Sequence, residues 1–171
     1  MNKKILIAYT SKYGATAEIA KKIEKDLQVA GYDASAQPAK GIKDLADYSA
    51  VILGSALYMG QWQKEAVQFL KANQTALAEH PFWIFTSGPT GEGDPVELVQ
   101  GRIIPENLKE VVDACNPKDV TVFGGIVNNE KLNLFEKQIL KMVKAPSGDF
   151  RDWQAISAWT AKIANTLKEN A

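Results

Sequence analysis

Five short strand-like runs, four of them apolar, separated by stretches with helical spacing, constrain this chain more than any other feature. Residues 4–9 (KILIAY), 50–55 (AVILGS), 82–86 (FWIFT) and 120–124 (VTVFG) are apolar at nearly consecutive positions. Such runs belong to strands covered on both faces. The stretch 32–38 (YDASAQP) is more polar and closes on Pro38, which suits a strand nearer an edge. Between them, residues 16–30 place Ile19, Ala20, Ile23, Leu27 and Ala30 on one helical face and stop at Gly31. Residues 63–79 do the same with Ala66, Phe69, Leu70 and Leu77, and 152–169 with Ile156, Trp159, Ile163 and Leu167. Strands alternating with helices imply right-handed crossovers and a parallel sheet covered on both sides. The expectation is an α/β three-layer sandwich whose five-stranded parallel sheet runs in the order 2-1-3-4-5. At 171 residues the chain reads as one domain, 1–171.

In such a sheet, ligands sit beyond the carboxyl ends of the strands at the switch point. That brings together the loops 10–16, 55–62 and 86–95. The first offers hydroxyls at Thr10, Ser11, Tyr13 and Thr16, a free backbone at Gly14, and Lys12 as its only charge, all leading into a helix N-terminus. Unpaired N–H groups and the helix dipole favour a phosphate there. Neutral donors suit the dianion of a bound cofactor better than a triphosphate that needs lysine and magnesium. The second loop, SALYMGQWQ, is apolar and aromatic where a connection should be polar. Tyr58, Met59 and Trp62 are placed to sandwich a flat ring, with Gly60 letting backbone approach its edge; the alternative is that Leu57 and Trp62 complete the core. The third loop, TSGPTGEGDP, is dense in glycine and offers N–H donors to a polar ring edge.

Several chemistries of this architecture are excluded by residues. There is no G-x-x-x-x-G-K-[ST] loop, and only Gly14 of a dinucleotide fingerprint stands after the first strand. A phosphate-accepting receiver needs carboxylates where Tyr9-Thr10 and Gly54-Ser55 stand, and a cysteine phosphatase needs its thiol in the first loop, far from Cys115. Twenty basic residues balance twenty acidic ones, so no broad basic surface for nucleic acid is expected. A lone cysteine fits a reducing compartment. After Met1-Asn2-Lys3-Lys4 the apolar run 5–9 is short for a signal peptide core or a membrane span, and the expected location is cytoplasmic.

A phosphate nest, an aromatic slot and a glycine-rich amide loop on one sheet edge describe flavin mononucleotide. Here the chain resembles the flavodoxin-like family over nearly its whole length: ILIAYTSKYGATAEIA resembles the phosphate signature, and SGPTGEGD the second flavin loop. The resemblance implies that Thr10, Ser11, Lys12, Tyr13, Gly14, Ala15 and Thr16 surround the FMN phosphate. Leu57, Tyr58, Met59, Gly60 and Trp62 would flank the ring, and Ser87, Gly88, Pro89, Thr90, Gly91 and Gly93 would cover its other edge. Ala15 is a departure, standing where many short-chain flavodoxins carry asparagine.

Two functions then compete. A flavodoxin-type carrier passes single electrons and is usually acidic, whereas this chain is neutral overall. The alternative rests on residues 126–153, long for a connection between strand and helix, with a helical insertion expected at about 127–150. Within it Leu132, Phe135, Ile139, Leu140, Met142 and Val143 share one helical face of roughly 160°, with Lys137, Lys141 and Lys144 opposite and Glu136 inside the apolar arc. That helix reads either as packing on its own domain or as a lid or membrane-facing surface over 131–144. The insertion, ending in GDFRDW, resembles the menaquinone-dependent protoporphyrinogen oxidase branch of the family. The resemblance implies FMN-mediated oxidation of a porphyrinogen with a membrane quinone as acceptor, and a place at the inner face of the membrane. A quinone-reductase-like or non-catalytic FMN-binding protein stays open beside it. No metal is expected and no catalytic acid or base is assigned. His80 reads as a surface or capping residue and Cys115 as a buried small group. Trp83, Trp153 and Trp159 read as core, Arg151 and Asp152 as caps of the last helix, and Glu92 and Asp94, which border the third loop, as solvated turn residues, with contact to a substrate as the alternative.

Overall fold

Each central strand divides its side chains between two cores. Leu6, Ala8, Val51, Leu53, Phe82 and Ile84 point to one face, and Ile5, Ile7, Ala50, Ile52, Trp83 and Phe85 to the other; all are buried. This alternation at period two, with both sets apolar, is why the runs read as continuous in sequence.

The structure is a computed structural model that describes residues 4–170. The expectation about the leading Met1-Asn2-Lys3 lies outside the described residues. The strands are β1 (Lys4–Thr10), β2 (Ala34–Pro38), β3 (Tyr48–Tyr58), β4 (Gln61–Trp62), β5 (Phe82–Ser87), β6 (Asp119–Phe123), β7 (Ile126–Val127) and β8 (Gly148–Asp149). The helices are α1 (Ala15–Val29), α2 (Lys64–Ala72), α3 (Gln74–Glu79), α4 (Pro95–Leu98), α5 (Lys109–Cys115), α6 (Leu134–Met142) and α7 (Trp153–Glu169). The main sheet runs β2-β1-β3-β5-β6 with every pair parallel. Setting aside the short β4, that is the expected order. β2 pairs only with β1, so Pro38 sits on an edge, where its missing N–H is tolerated.

Helices cover both faces. α1 and α7 bury Ile19, Ile23, Leu27, Ile156, Trp159 and Ile163 on one, while α2, α3 and α5 bury Phe69, Leu70, Leu77, Val112 and Cys115 on the other. The α7 face holds an aromatic cluster, Phe85, Phe123 and Trp159, with ring centroids 5.7–6.1 Å apart and tilted or edge-on contacts. The Trp159 indole N–H donates to Asp119 Oδ2 at 2.8 Å. Burial pushes the Cys115 thiol up to about 11, so it stays a neutral core group, as its reading predicts.

Three sequence expectations are corrected. The helix over 63–79 is two helices broken at Asn73, whose backbone leaves the helical region (φ −110°, ψ 15°) and whose side-chain amide donates to the Phe69 carbonyl at 2.9 Å. Apolar spacing continues across the break, so periodicity alone does not show it. The second loop is largely a β-hairpin: β3 runs on to Tyr58, and β4 folds back antiparallel with Leu57 opposite Trp62. Its turn, Met59-Gly60, has positive φ at both residues (50° and 73°), the geometry that matches strand twist in a two-residue hairpin. Trp153, expected in the core, opens α7 at 37% exposure and stacks against the Arg151 guanidinium at 4.6 Å. Asp152 does cap α7, accepting from the N–H groups of Gln154 and Ala155 at 3.0 Å.

Candidate functional site

β1, β3 and β5 end side by side, and buried hydroxyls tie their ends together. Thr10 donates to Ser55 Oγ at 3.3 Å, and Thr16 and Ser87 share a hydrogen bond of 2.7 Å. Beyond them opens a cavity of about 680 Å³.

Its first wall is the strand-to-helix loop: Ser11, Lys12, Tyr13, Ala15 and Thr16 line it. Gly14 takes a left-handed conformation (φ 98°), and no side chain caps α1. The Gly14 N–H is held by Ser11 Oγ at 2.9 Å, while those of Ala15, Thr16 and Ala17 find no backbone partner among the described residues. An uncapped amino end with neutral donors around it suits a phosphate monoester.

The second wall is the tip of the β3–β4 hairpin, with Leu57, Tyr58, Met59 and Gly60 on the cavity. Trp62 is not on it: the ring is buried in the core, and its indole N–H donates to Thr86 Oγ1 at 3.1 Å. The aromatic slot therefore narrows to Tyr58. Ser87, Gly88, Pro89 and Thr90 form the third wall, whereas Thr10, Gly14, Gly91 and Gly93 lie off the lining. Bare backbone makes this floor. A Cβ on Gly88 would stand 2.5 Å from the Leu57 carbonyl oxygen, and one on Gly125 would stand 3.0 Å from the backbone of Gly88. Glycine is needed at both positions because backbone packs directly on backbone there, Gly88 on Leu57 and Gly125 on Gly88.

The fourth wall was not assigned to the cofactor by sequence. After β6 the chain makes the β7–β8 pair and carries α6 between them, so that Ile126, Val127, Leu132, Glu136, Ile139, Leu140 and Val143 close the cavity opposite the loops. α6 starts with a capping box: Asn133 accepts from the Glu136 N–H at 2.8 Å, and Glu136 Oε2 accepts from the Asn133 N–H at 3.1 Å. Glu136 Oε1 also accepts from Lys12 Nζ at 2.6 Å and from the Tyr13 hydroxyl. Lys12, then Tyr13 and the Asn133 N–H, hold the Glu136 carboxyl down at about 2, and Glu136 in turn raises the Lys12 ammonium. Burial and the neighbouring carboxylate raise the Tyr13 phenol, which stays a donor. Lys12 Nζ sits 4.1 Å from the Tyr58 ring centroid as well, and Lys131 Nζ donates to the Tyr13 carbonyl at 3.2 Å.

The end of this segment is clamped by Arg151, whose guanidinium donates to Asp149 and to Glu18 of α1, at 2.5–2.9 Å. Arg151 depresses the Asp149 carboxyl. The outer side of α6 is exposed and apolar: Leu134 at 81%, Phe135 at 70% and Met142 at 82%. Lys137 and Lys141 lie off the cavity on the same helix. Asp94 caps α4 by accepting from the Val96 N–H at 2.8 Å, and Glu92 is exposed. His80 bonds the carbonyls of Ala76 and Tyr48 (2.6 and 3.1 Å), distant in sequence and role from the cavity. No group of three or more His, Cys, Asp or Glu is arranged to hold a metal among the described residues, and no helix there is long and apolar enough to cross a membrane.

Glu136 had one signal in the sequence, a charge inside an apolar arc. Leu98 and Val99, which reach the cavity rim from α4 and its end, had none.

A family model described as a flavodoxin domain matches residues 6–154. No curated protein matches the chain. Among solved structures, oxidised flavodoxin 2 from Bacillus cereus is 24% identical, over 96% of this chain and 99% of that one, with a TM-score of 0.62. A cysteine-to-serine mutant of the Pseudomonas aeruginosa flavodoxin is 19% identical over the same shares, with a TM-score of 0.60. The rubredoxin oxygen:oxidoreductase of Desulfovibrio gigas is 15% identical over 98% of this chain but 36% of its own, with a TM-score of 0.61. These likenesses are to the fold, which is flavodoxin-like.

Proposed function

We propose that this chain, which belongs to the flavodoxin domain family, is an FMN-dependent oxidoreductase that works on an apolar organic substrate lodged against α6. FMN is the cofactor the family brings, and when bound it supplies the capacity to accept and release one or two electrons. The chain's own residues hold and orient. The amino end of α1, with Ser11 and Thr16, takes the phosphate; Tyr58 and the hairpin tip cover one side of the ring; the stretch 87–90 and Gly125 border its far edge. Trp62 acts from behind, fixing Thr86 and hence the end of β5.

The observation that carries the enzyme reading is the fourth wall. Ile139 and Leu140, both half-buried, face the same cavity as the three loops, so an apolar molecule can lie against them beside the flavin. A carrier that meets its partners edge-on has no use for such a wall. The neutral net charge also supports it, because long-range steering toward a basic redox partner would be weak. Porphyrinogen is the substrate we favour, on the likeness of the segment ending in GDFRDW, with a quinone as acceptor. The exposed Leu134, Phe135 and Met142 beside Lys137 and Lys141 suit shallow contact with an anionic bilayer where that quinone dissolves.

The test is anaerobic. Flavin-loaded protein is mixed with protoporphyrinogen, and flavin bleaching and porphyrin fluorescence are followed before and after a menaquinone analogue is added. Bleaching followed by reoxidation supports the proposal. Protein that ignores porphyrinogen but exchanges single electrons with a reductase is a carrier.

A further inference from the structure

The pin between α6 and the first loop joins chemistry to architecture. Glu136 is 7% exposed, and the partners it reaches on the first loop, Lys12 and Tyr13, are 124 and 123 residues away in sequence. Both of its oxygens are in use, one by the Asn133 N–H and one by Lys12 and Tyr13. Lys12 is the only cation in the loop 10–16, and its ammonium also covers the Tyr58 ring. One ammonium thus binds α6, the first loop and the hairpin tip together. A carboxylate buried at this depth needs such a partner, because an unpaired one would be costly. An incoming phosphate changes the balance. It carries up to two negative charges to the same cavity, where the Glu136 carboxylate already holds the loop's cation and one of its hydroxyl donors.

We infer that Glu136 is a specificity-determining residue that competes with the cofactor's phosphate for Lys12 and Tyr13, so that docking of α6 and binding of a phosphate oppose each other. The inference rests on reading the first loop as the phosphate site. Linkage makes the opposition reciprocal: what loosens α6 tightens the phosphate, and the phosphate loosens α6. A ligand with the same ring but no phosphate does not compete with Glu136 for Lys12 and Tyr13.

The experiment compares FMN with riboflavin on the full chain, by quenching of flavin fluorescence, in the wild type, Glu136→Gln and Lys12→Gln. Glutamine keeps an acceptor for Lys12 and Tyr13 and removes the charge. In the wild type FMN must bind more tightly than riboflavin; equal affinities would overturn the phosphate-site reading and the inference with it. Glu136→Gln is expected to tighten FMN about tenfold, with riboflavin unchanged within about twofold. Lys12→Gln is expected to weaken FMN selectively, because it leaves the carboxylate facing the phosphate without a cation. If Glu136→Gln weakens FMN selectively, the carboxylate supports the phosphate through Lys12 and competition is wrong. If it shifts both ligands equally, Glu136 acts on the fold and the inference is also wrong. Hydrogen exchange on the wild type requires no variant. FMN should speed exchange across 133–143 while riboflavin leaves it alone, and protection of that segment by FMN would overturn the competition.

Discussion

The loop 10–16 and the segment 126–149 face each other across one cavity, yet different forces hold them. The loop grows from a strand buried on both faces, and its hydroxyls are tied to β3 and β5 by buried hydrogen bonds. α6 has Glu136 as its buried residue and otherwise rests half-buried apolar side chains on a cavity. Its hold is a capping box, an ion pair and a few partial contacts. The loop shares the stability of the whole sheet, while α6 has a local and smaller stability of its own. A wall that must admit and release ligands is better built in the second way.

The largest effect expected from breaking this contrast is at Gly54. A Cβ there would stand 2.1 Å from the Phe85 ring, which Phe123 and Trp159 hold in place. Gly54→Ala should cost about 3 kcal/mol of global stability in urea unfolding and release flavin only as a consequence. Thr16→Ala comes next. It leaves the buried Ser87 hydroxyl without its partner, for about 1–2 kcal/mol. If Ser87 donates to Thr16, the Thr16 proton is free for the phosphate, so FMN should weaken more than riboflavin; equal losses would restrict Thr16 to the fold. Asn133→Ala should cost about 1 kcal/mol, felt as faster hydrogen exchange over 134–142 with the urea midpoint of the sheet unmoved. A shift of that midpoint would make α6 part of the global unit.

Acid sharpens the same comparison. The Glu136 carboxyl lies near 2 when folded, below its ordinary 4.5, so the pin's contribution is complete above about pH 4.5 and fades as pH falls toward 2. Between those values proteolysis within 133–143 should rise before near-ultraviolet circular dichroism of the aromatic core changes. Simultaneous loss would mean that the two regions do not separate. Smallest of all is Lys137→Gln with Lys141→Gln and Lys144→Gln. These side chains lie off the cavity, and FMN affinity should stay within about twofold, while any activity that needs an anionic surface falls.

The sheet was legible because both faces of each strand are apolar, a pattern few other elements share. The order followed from the polarity of β2 and Pro38. What stayed hidden depends on distant or unusual partners. Met59 at positive φ is not a turn residue by its chemistry, so the hairpin tip was seen as an apolar loop. Trp62 offered the same ring to a ligand slot or to the core, and only the hydroxyl of Thr86 decides between them. The three loops were brought together correctly by the switch-point rule. Glu136 announced itself as misplaced, but nothing local names Lys12 as the reason. Trp153 failed for the opposite cause: at the first turn of α7 it meets Arg151 before it can reach the sheet.

The placement of the four tryptophans gives the molecule its own optical labels. Trp83 and Trp159 are locked in the core between the sheet and the α1–α7 layer, and Trp62, on the return strand of the hairpin, is buried in the core of the other face. Trp153 alone stands in solvent, next to the arginine that clamps the segment carrying α6. Its emission should be the reddest of the four and the most open to iodide. Release of the Arg151 clamp would change that signal while the three buried indoles stay dark to the quencher, so movement at the cavity rim and melting of the sheet can be followed in one cuvette, at one wavelength, without a dye.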